Sequence, residues 1–263
     1  MFEMADNIDQ APIVDEMVTE HEVVPEVPSA VDTTEMSVPW TIRSLGVSWD
    51  AVHASLNTLV YMLLGGSALV TLWFACKSPS EMTAFHWHIV FCMIGYQLLM
   101  PHGLLCLQSF SWSSPLTFSQ RRRAHWLLSL VGSILALIGS ALMGARKTDN
   151  SYSLHGKFAI AALVFTIVSL AKGVLALYPR LFRRYNAFYS IKISHSLLGT
   201  TAFILSSVSL SYGYLKHSFT GWATVQFSYT MVSLTCISTL LVILAPTYKL
   251  SRKLFNIVQR KFF

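Results

Sequence analysis

Beyond residue 46 the chain alternates long apolar runs with short polar stretches. Six runs stand out, at residues 52–75, 86–108, 125–145, 156–178, 194–215 and 222–246. A helix rises about 1.5 Å per residue, so each run covers roughly 30 Å, the hydrocarbon thickness of a bilayer. The pattern predicts an all-α membrane protein with six transmembrane helices. Short connections predict antiparallel neighbours, with spans 2–5 forming a square four-helix bundle. Residues 1–46 read differently. They are acidic and broken by Pro12, Pro25, Pro28 and Pro39, which predicts a disordered tail. No basic region followed by an apolar core occurs there, so a signal peptide is not expected. The organisation is therefore an acidic tail (1–46), a membrane domain (47–250) and a basic tail (251–263).

Composition sharpens this picture. The chain is 53% hydrophobic and 12% charged, with mean hydropathy +0.51, which excludes an ordinary soluble domain. Ten of the thirteen acids fall in residues 1–46, and the others are Asp50, Glu81 and Asp149. No carboxylate lies inside an apolar run, which argues against a carboxylate proton relay or cation site. The net charge of +6 resides in basic stretches flanking the spans, so it sets topology and points to no nucleic acid. With the N-terminus cytosolic, thirteen Lys and Arg fall on that side, against five on the other. Both termini are expected inside. Lys172, near the cytosolic end of span 4, can snorkel to the interface.

The candidate chemistry is a repeated histidine. His88, His125, His155 and His195 each stand at the amino end of an apolar run. Successive spans reverse direction, so His125 and His195 fall on the cytosolic side and His88 and His155 on the far side. Each couple then sits on a diagonal of the bundle, where a flat macrocycle can take one axial imidazole from each helix. Positions 4, 7, 11 and 14 after a helical residue share its face. After His125 these are Ser129, Gly132, Ala136 and Gly139; after His155, Ala159, Ala162, Thr166 and Ser169; after His195, Gly199, Ala202, Ser206 and Ser209. All are small, as a porphyrin in the interior requires, although small residues also line plain helix–helix contacts. The residues thus predict two haem groups, one near each membrane face.

Span 2 offers a choice. His86 heads bulky Val90, Met93, Gln97 and Met100, whereas His88 heads Cys92, Gly95, Leu99 and His102, so His88 is the expected ligand. On an unbroken α-helix His102 shares that face about 21 Å deeper, as a haem neighbour or a rival ligand. His21, His53 and His217 lack matching partners. Cys76, Cys92, Cys106 and Cys236 have no ligand spacing and are expected to be packing residues without a disulfide. No phosphate loop, HExxH or zinc spacing competes. A nucleotide-binding domain is also lacking, so the electron donor must be a small reductant or a separate protein. Two axial imidazoles leave no open iron position, which argues against haem-bound oxygen chemistry.

Phe85-His86-Trp87-His88, His125-Trp126, Tyr152-Ser153-Leu154-His155, Leu177-Tyr178-Pro179 and the histidine spacing together resemble the cytochrome b561 family, most closely its short "domain-containing" branch. The resemblance covers roughly residues 48–250. It departs where Ile89 replaces a family proline and Gly156-Lys157 replaces Ser-Trp. It implies a six-helix protein with two heme b groups, bound by His88 with His155 and by His125 with His195. It also implies electron transfer from cytosolic ascorbate to monodehydroascorbate or a ferric chelate, in an endoplasmic-reticulum or vesicle membrane, and leaves a homodimer open. On that reading Arg121, Arg122 and Arg123 would attract ascorbate, with Arg183, Arg184 and Lys192 sharing the role. Lys157, with Arg146 and Lys147, would draw the anionic acceptor. Positive-inside topology alone also places basic residues there. Trp87, Trp126 and Tyr152 would pack on the haems or form an interfacial belt. The rival classes are a six-span transporter, which calls for broken helices at midplane and has only Pro101 inside spans 2–5 to offer, and a membrane scaffold without haem.

Overall fold

The structure, a computed structural model, describes residues 48–77, 81–108, 111–146, 152–178 and 185–262. The acidic segment 1–46, together with Lys147, Pro179, Arg180, Arg183 and Arg184, lies outside the described residues. The elements are α1 (Trp49–Cys76), α2 (Ala84–Leu105), α3 (Phe118–Gly144), α4 (Leu154–Leu175), α5 (Tyr185–Tyr214), the short α6 (His217–Ala223) and α7 (Val225–Phe262). Six of them are long and apolar enough to cross a membrane. No strand occurs among the described residues. The protein is an all-α, multi-pass membrane protein. Leucines that would be anomalous on a soluble surface, such as Leu69, Leu240 and Leu244, are exposed here because lipid is their solvent.

Polar caps extend the helices past their apolar runs. Ser48 caps α1 and Ser153 caps α4 through its Oγ, which accepts from Gly156 N–H. At α3, Thr117 and Gln120 form a reciprocal capping box, so the helix begins seven residues before His125. Arg121–Arg123 therefore lie in the first turns of a helix rather than in a loop. The apolar run marks only the part in hydrocarbon, whereas backbone hydrogen bonding continues into the interface. At the other end α7 runs through Pro246 and beyond Leu250, making the basic segment helical. Thr224, at φ 79°, separates α6 from α7, inside the stretch expected to start the sixth span.

The central bundle is two tight antiparallel pairs, α2 with α3 and α4 with α5, rather than a regular square. The pairs touch each other sparsely. Glycines set the closeness within a pair: a Cβ on Gly95 would lie 2.5 Å from the Gly132 carbonyl oxygen, and one on Gly139 would lie 2.9 Å from Cys92 Sγ. The small-residue stripes thus serve first as helix contacts inside each pair. The wider separation falls between the pairs. Helices α1 and α7 pack outside, through Val60, Leu64, Leu105, Phe203 and Val242. Buried polar bonds tie α1 to the bundle: Thr71 Oγ1 with Tyr214 OH at 2.8 Å, and Gln97 Nε2 donating to Ser67 Oγ at 3.4 Å.

Within α2, residues Met93–Leu99 form a π-helical stretch, and Met100 N–H bonds to the Gly95 carbonyl five residues back. Pro101 follows. In an α-helix its ring would press on the Gln97 carbonyl, and it has no N–H to donate. The wider turn accommodates both defects while keeping α2 continuous, so no broken helix of the transporter kind occurs here.

Gly95→Ala places its methyl against the backbone of α3, which cannot yield as a side chain would. It is expected to destabilise the protein by about 1–3 kcal/mol, the usual cost of overpacking. Gly65→Ala, with nothing within 4 Å of the added carbon, is the neutral control. Equal melting temperatures for the two variants in detergent would count against this packing.

Candidate functional site

The fold brings the four histidines together as two couples. The imidazole centres of His88 and His155 are 6.1 Å apart with planes at 90°, and those of His125 and His195 are 6.1 Å apart at 80°. Each couple joins diagonal helices, α2 with α4 and α3 with α5. The couples lie toward opposite ends of the bundle. Those at His125 and His195 share their end with Arg121–Arg123, hereafter the basic face.

One hydrogen-bond pattern holds all four rings. His88 Nδ1 donates to the Gly139 carbonyl (2.8 Å), His125 Nδ1 to Gly103 (2.7 Å), His155 Nδ1 to Ser209 (2.8 Å) and His195 Nδ1 to Ser169 (2.9 Å). A carbonyl oxygen only accepts, so each Nδ1 carries the proton and Nε2 is the basic nitrogen. This is the arrangement that orients a metal-binding histidine and raises its basicity. Every bond runs between the two helices of one tight pair. Two of the acceptors are serines whose hydroxyls also reach the partner backbone: Ser209 Oγ donates to the His155 carbonyl (2.9 Å) and Ser169 Oγ to that of His195 (3.3 Å).

These acceptors carry a sequence signal that the small-stripe reading used for another purpose. Gly139, Ser169 and Ser209 each stand fourteen residues after a histidine of their own helix; in α2 the acceptor is Gly103, fifteen after His88. The π-helical turn adds the extra residue. It also rotates His102 off the face of His88, contrary to the expectation from an unbroken helix. His102 stacks on Tyr61 of α1 (centroids 5.3 Å, 29°) and donates Nδ1–H to the Leu98 carbonyl (2.7 Å). Its ring joins neither imidazole couple. His86 caps the start of α2, its Nδ1 accepting from Thr83 N–H at 3.1 Å. His53 and His217 are exposed.

Two glycines went unnoticed in the sequence. A Cβ on Gly173 would lie 2.9 Å from His195 Cε1, and one on Gly213 would lie 3.5 Å from His155 Cε1. Both stand eighteen residues after the histidine of their own helix, one turn beyond the carbonyl acceptor, so they flank the ring that the acceptor holds.

The donor set fits a haem iron. Two imidazoles bonded through Nε2 to a metal between them, at about 2 Å each, have their ring centres roughly 6 Å apart. Among the described residues no group of three or more His, Cys, Asp or Glu gathers to hold a bare ion. Two trans imidazoles alone suit an iron whose four other ligands come from a macrocycle.

On the basic face the three arginines separate. Arg121 is committed to backbone, donating through Nε to the Leu116 carbonyl (3.1 Å) and through its terminal nitrogens to Ser114 (2.6 Å) and Gln108 (3.5 Å). Arg122 and Arg123 are exposed and, with Ser119, Trp126 and Leu177, line a cleft of about 380 Å³ at this end of the bundle. Lys192 of α5 stands close enough to feel the charges of Arg122 and of Lys253 on α7. Lys157 and Tyr152 are exposed near His155, and Trp87 stacks on Phe91 (5.3 Å, 24°). Cys106 Sγ lies 3.1 Å from the Gly103 carbonyl that also holds His125.

Residues 87–221, just over half of the chain, match the model of the eukaryotic cytochrome b561 family. The matched segment contains all four histidines and their carbonyl acceptors. The human protein named transmembrane reductase CYB561D2 (Homo sapiens) is 29% identical over 162 residues, covering 59% of this chain and 71% of its own length. The protein of the same name from Bos taurus is 27% identical over 177 residues, covering 65% and 79%. The paired imidazoles inside a six-span apolar scaffold, and the family match that encloses them, make this chain a member of the cytochrome b561 family of transmembrane electron-transfer oxidoreductases.

Proposed function

We propose that the protein holds two heme b groups and carries electrons from cytosolic ascorbate to monodehydroascorbate or a ferric chelate across the membrane. His125 and His195 would hold the haem at the basic, cytosolic face, and His88 and His155 the haem at the far face. Both termini would be cytosolic, in an endoplasmic-reticulum or vesicle membrane. The observation that carries this reading is the pair of imidazole couples at metal-bridging separation, each Nδ1 proton engaged by a carbonyl. When bound, the haem supplies a one-electron iron couple.

The chain's own residues do the rest. Gly139, Ser209, Gly103 and Ser169 fix the tautomer and aim Nε2 inward. With both imidazoles of a couple engaged, a bound haem iron would have no position left for oxygen. Arg122 and Arg123 present guanidinium groups to an anionic donor in the cleft beside Trp126, while Arg121 holds Gln108, Ser114 and Leu116 in place. Lys192 and Lys253 add positive potential to the same face. At the far face Lys157 would play the corresponding part for an anionic acceptor.

Purified protein is expected to contain two haems per chain. Replacing His125 or His195 by Ala should remove one, and replacing His88 or His155 the other, as read by reduced-minus-oxidised spectra. A spectrum indifferent to all four substitutions would sink the assignment. The near-perpendicular imidazole planes predict strongly anisotropic low-spin ferric EPR signals from both sites. Gly173→Ala crowds His195 and should lower occupancy of the basic-face haem, whereas Gly213→Ala, at ordinary contact distance, should be tolerated.

Arg122→Gln and Arg123→Gln should raise KM for ascorbate and flatten its dependence on ionic strength, with haem content unchanged. Arg121→Gln should instead lower the melting temperature, because the Leu116 and Ser114 carbonyls lose their donor, while that of Gln108 keeps Ser111 Oγ. Unaltered KM in the first two variants would place the donor elsewhere.

A further inference from the structure

At the middle of the bundle a side-chain hydrogen bond reaches across the diagonal. Tyr96 of α2 meets Thr166 of α4, with their oxygens 3.1 Å apart. Thr166 gives its own proton to the Ala162 carbonyl at 2.7 Å, so the phenol is the donor. The backbones of α2 and α4 lie on opposite corners and scarcely approach each other. A tyrosine that reaches from one to the other therefore puts its ring in the interior of the bundle, between the helix pairs.

Its height is fixed by counting along α2. Tyr96 stands eight residues below His88, about 12 Å, and seven above Gly103, about 10 Å, which marks the level of the other couple. Thr166 lies nearer the basic face on α4, eleven residues after His155, about 16 Å, and three before Ser169, about 4–5 Å, so the phenol slants toward the His125 and His195 couple. The ring thus lies between the two imidazole couples. The π-helical turn Met93–Leu99 contains it, and that turn changes the direction in which α2 presents its side chains.

We propose that Tyr96 is the partition between the two haem sites and the aromatic bridge over which the electron passes from one to the other. The proposal rests on the two-haem reading above. One electron leaves the reduced site at His125 and His195 and arrives at the oxidised site at His88 and His155. The phenol keeps its proton on the bond to Thr166, no covalent bond forms or breaks, and the ring is neither oxidised nor reduced. What the ring supplies is a compact π system across a gap that the neighbouring Gly, Ala, Ser and Thr side chains are too short to fill. The bond to Thr166 holds it in place. The ordinary alternative is that Tyr96 is interhelical glue, needed for its hydroxyl alone.

Two variants of the full chain separate these roles. Tyr96→Phe keeps the ring and loses the hydroxyl; Tyr96→Leu loses both. Haem per chain is measured first, by the pyridine haemochrome spectrum. Electron redistribution between the sites is then followed after flash photoreduction. Both variants are expected to retain two haems, Phe to redistribute at nearly the wild-type rate, and Leu to do so severalfold more slowly. Should Leu lose haem, Tyr96→Met takes its place with the same expectation. A Leu or Met variant as fast as wild type overturns the bridge, and so does a Phe variant as slow as Leu. A wild-type ratio below two haems per chain overturns the two-haem reading itself, and this proposal with it.

Discussion

The structure depends on a hydrogen bond made four times: the Nδ1 proton of a histidine given to a backbone carbonyl of the antiparallel neighbour. In lipid such a bond cannot be exchanged for one to water, so the partner is obligatory. The consequence is chemical as well as mechanical. A carbonyl can only accept, which fixes the tautomer and leaves Nε2 as the base that faces the opposite imidazole. Both couples come out at the same ring separation because the same bond is used at each corner.

That bond explains why the bundle is built as two close pairs. For the carbonyl of Gly139 or Ser209 to meet an imidazole on the next helix, the backbones must approach closely along their whole shared length. Gly95, Gly132 and Gly139 permit this on one side, with Ser169 and Gly199 on the other. Tight pairing within α2/α3 and α4/α5 leaves the looser space between pairs, where the imidazole couples meet. The small-residue stripes therefore do two things at once. They bring helices into hydrogen-bonding range, and they keep bulky side chains out of the interior.

The π-helical turn in α2 reconciles two demands on one helix. His88 must serve the far couple, and a carbonyl near the opposite end must serve His125. In the other three spans fourteen residues separate histidine from acceptor. In α2 Pro101 interrupts the α-helical ladder, and the widened turn that accommodates it delays the acceptor by one residue, to Gly103. The same turn sends His102 outward to Tyr61. A defect forced by a proline's missing N–H thus decides which of two neighbouring residues faces the site.

The sequence by itself determined the six spans, because apolar runs of some twenty residues admit no other fate in water, and it determined which four histidines stand at alternating ends. It also carried the fourteen-residue interval to Gly139, Ser169 and Ser209, since α-helical periodicity is a local property of the chain. Tertiary structure alone decided the rest. Whether Arg121 faces a ligand or its own loop depends on three carbonyls from residues 108–116. Whether Gly173 matters depends on His195 arriving from another helix. The fate of His102 turned on the phase of α2, which no periodic reading of residues 88 to 102 contains once one turn widens. Contacts between elements, and the phase errors that accumulate along a helix, are set by packing rather than by spacing.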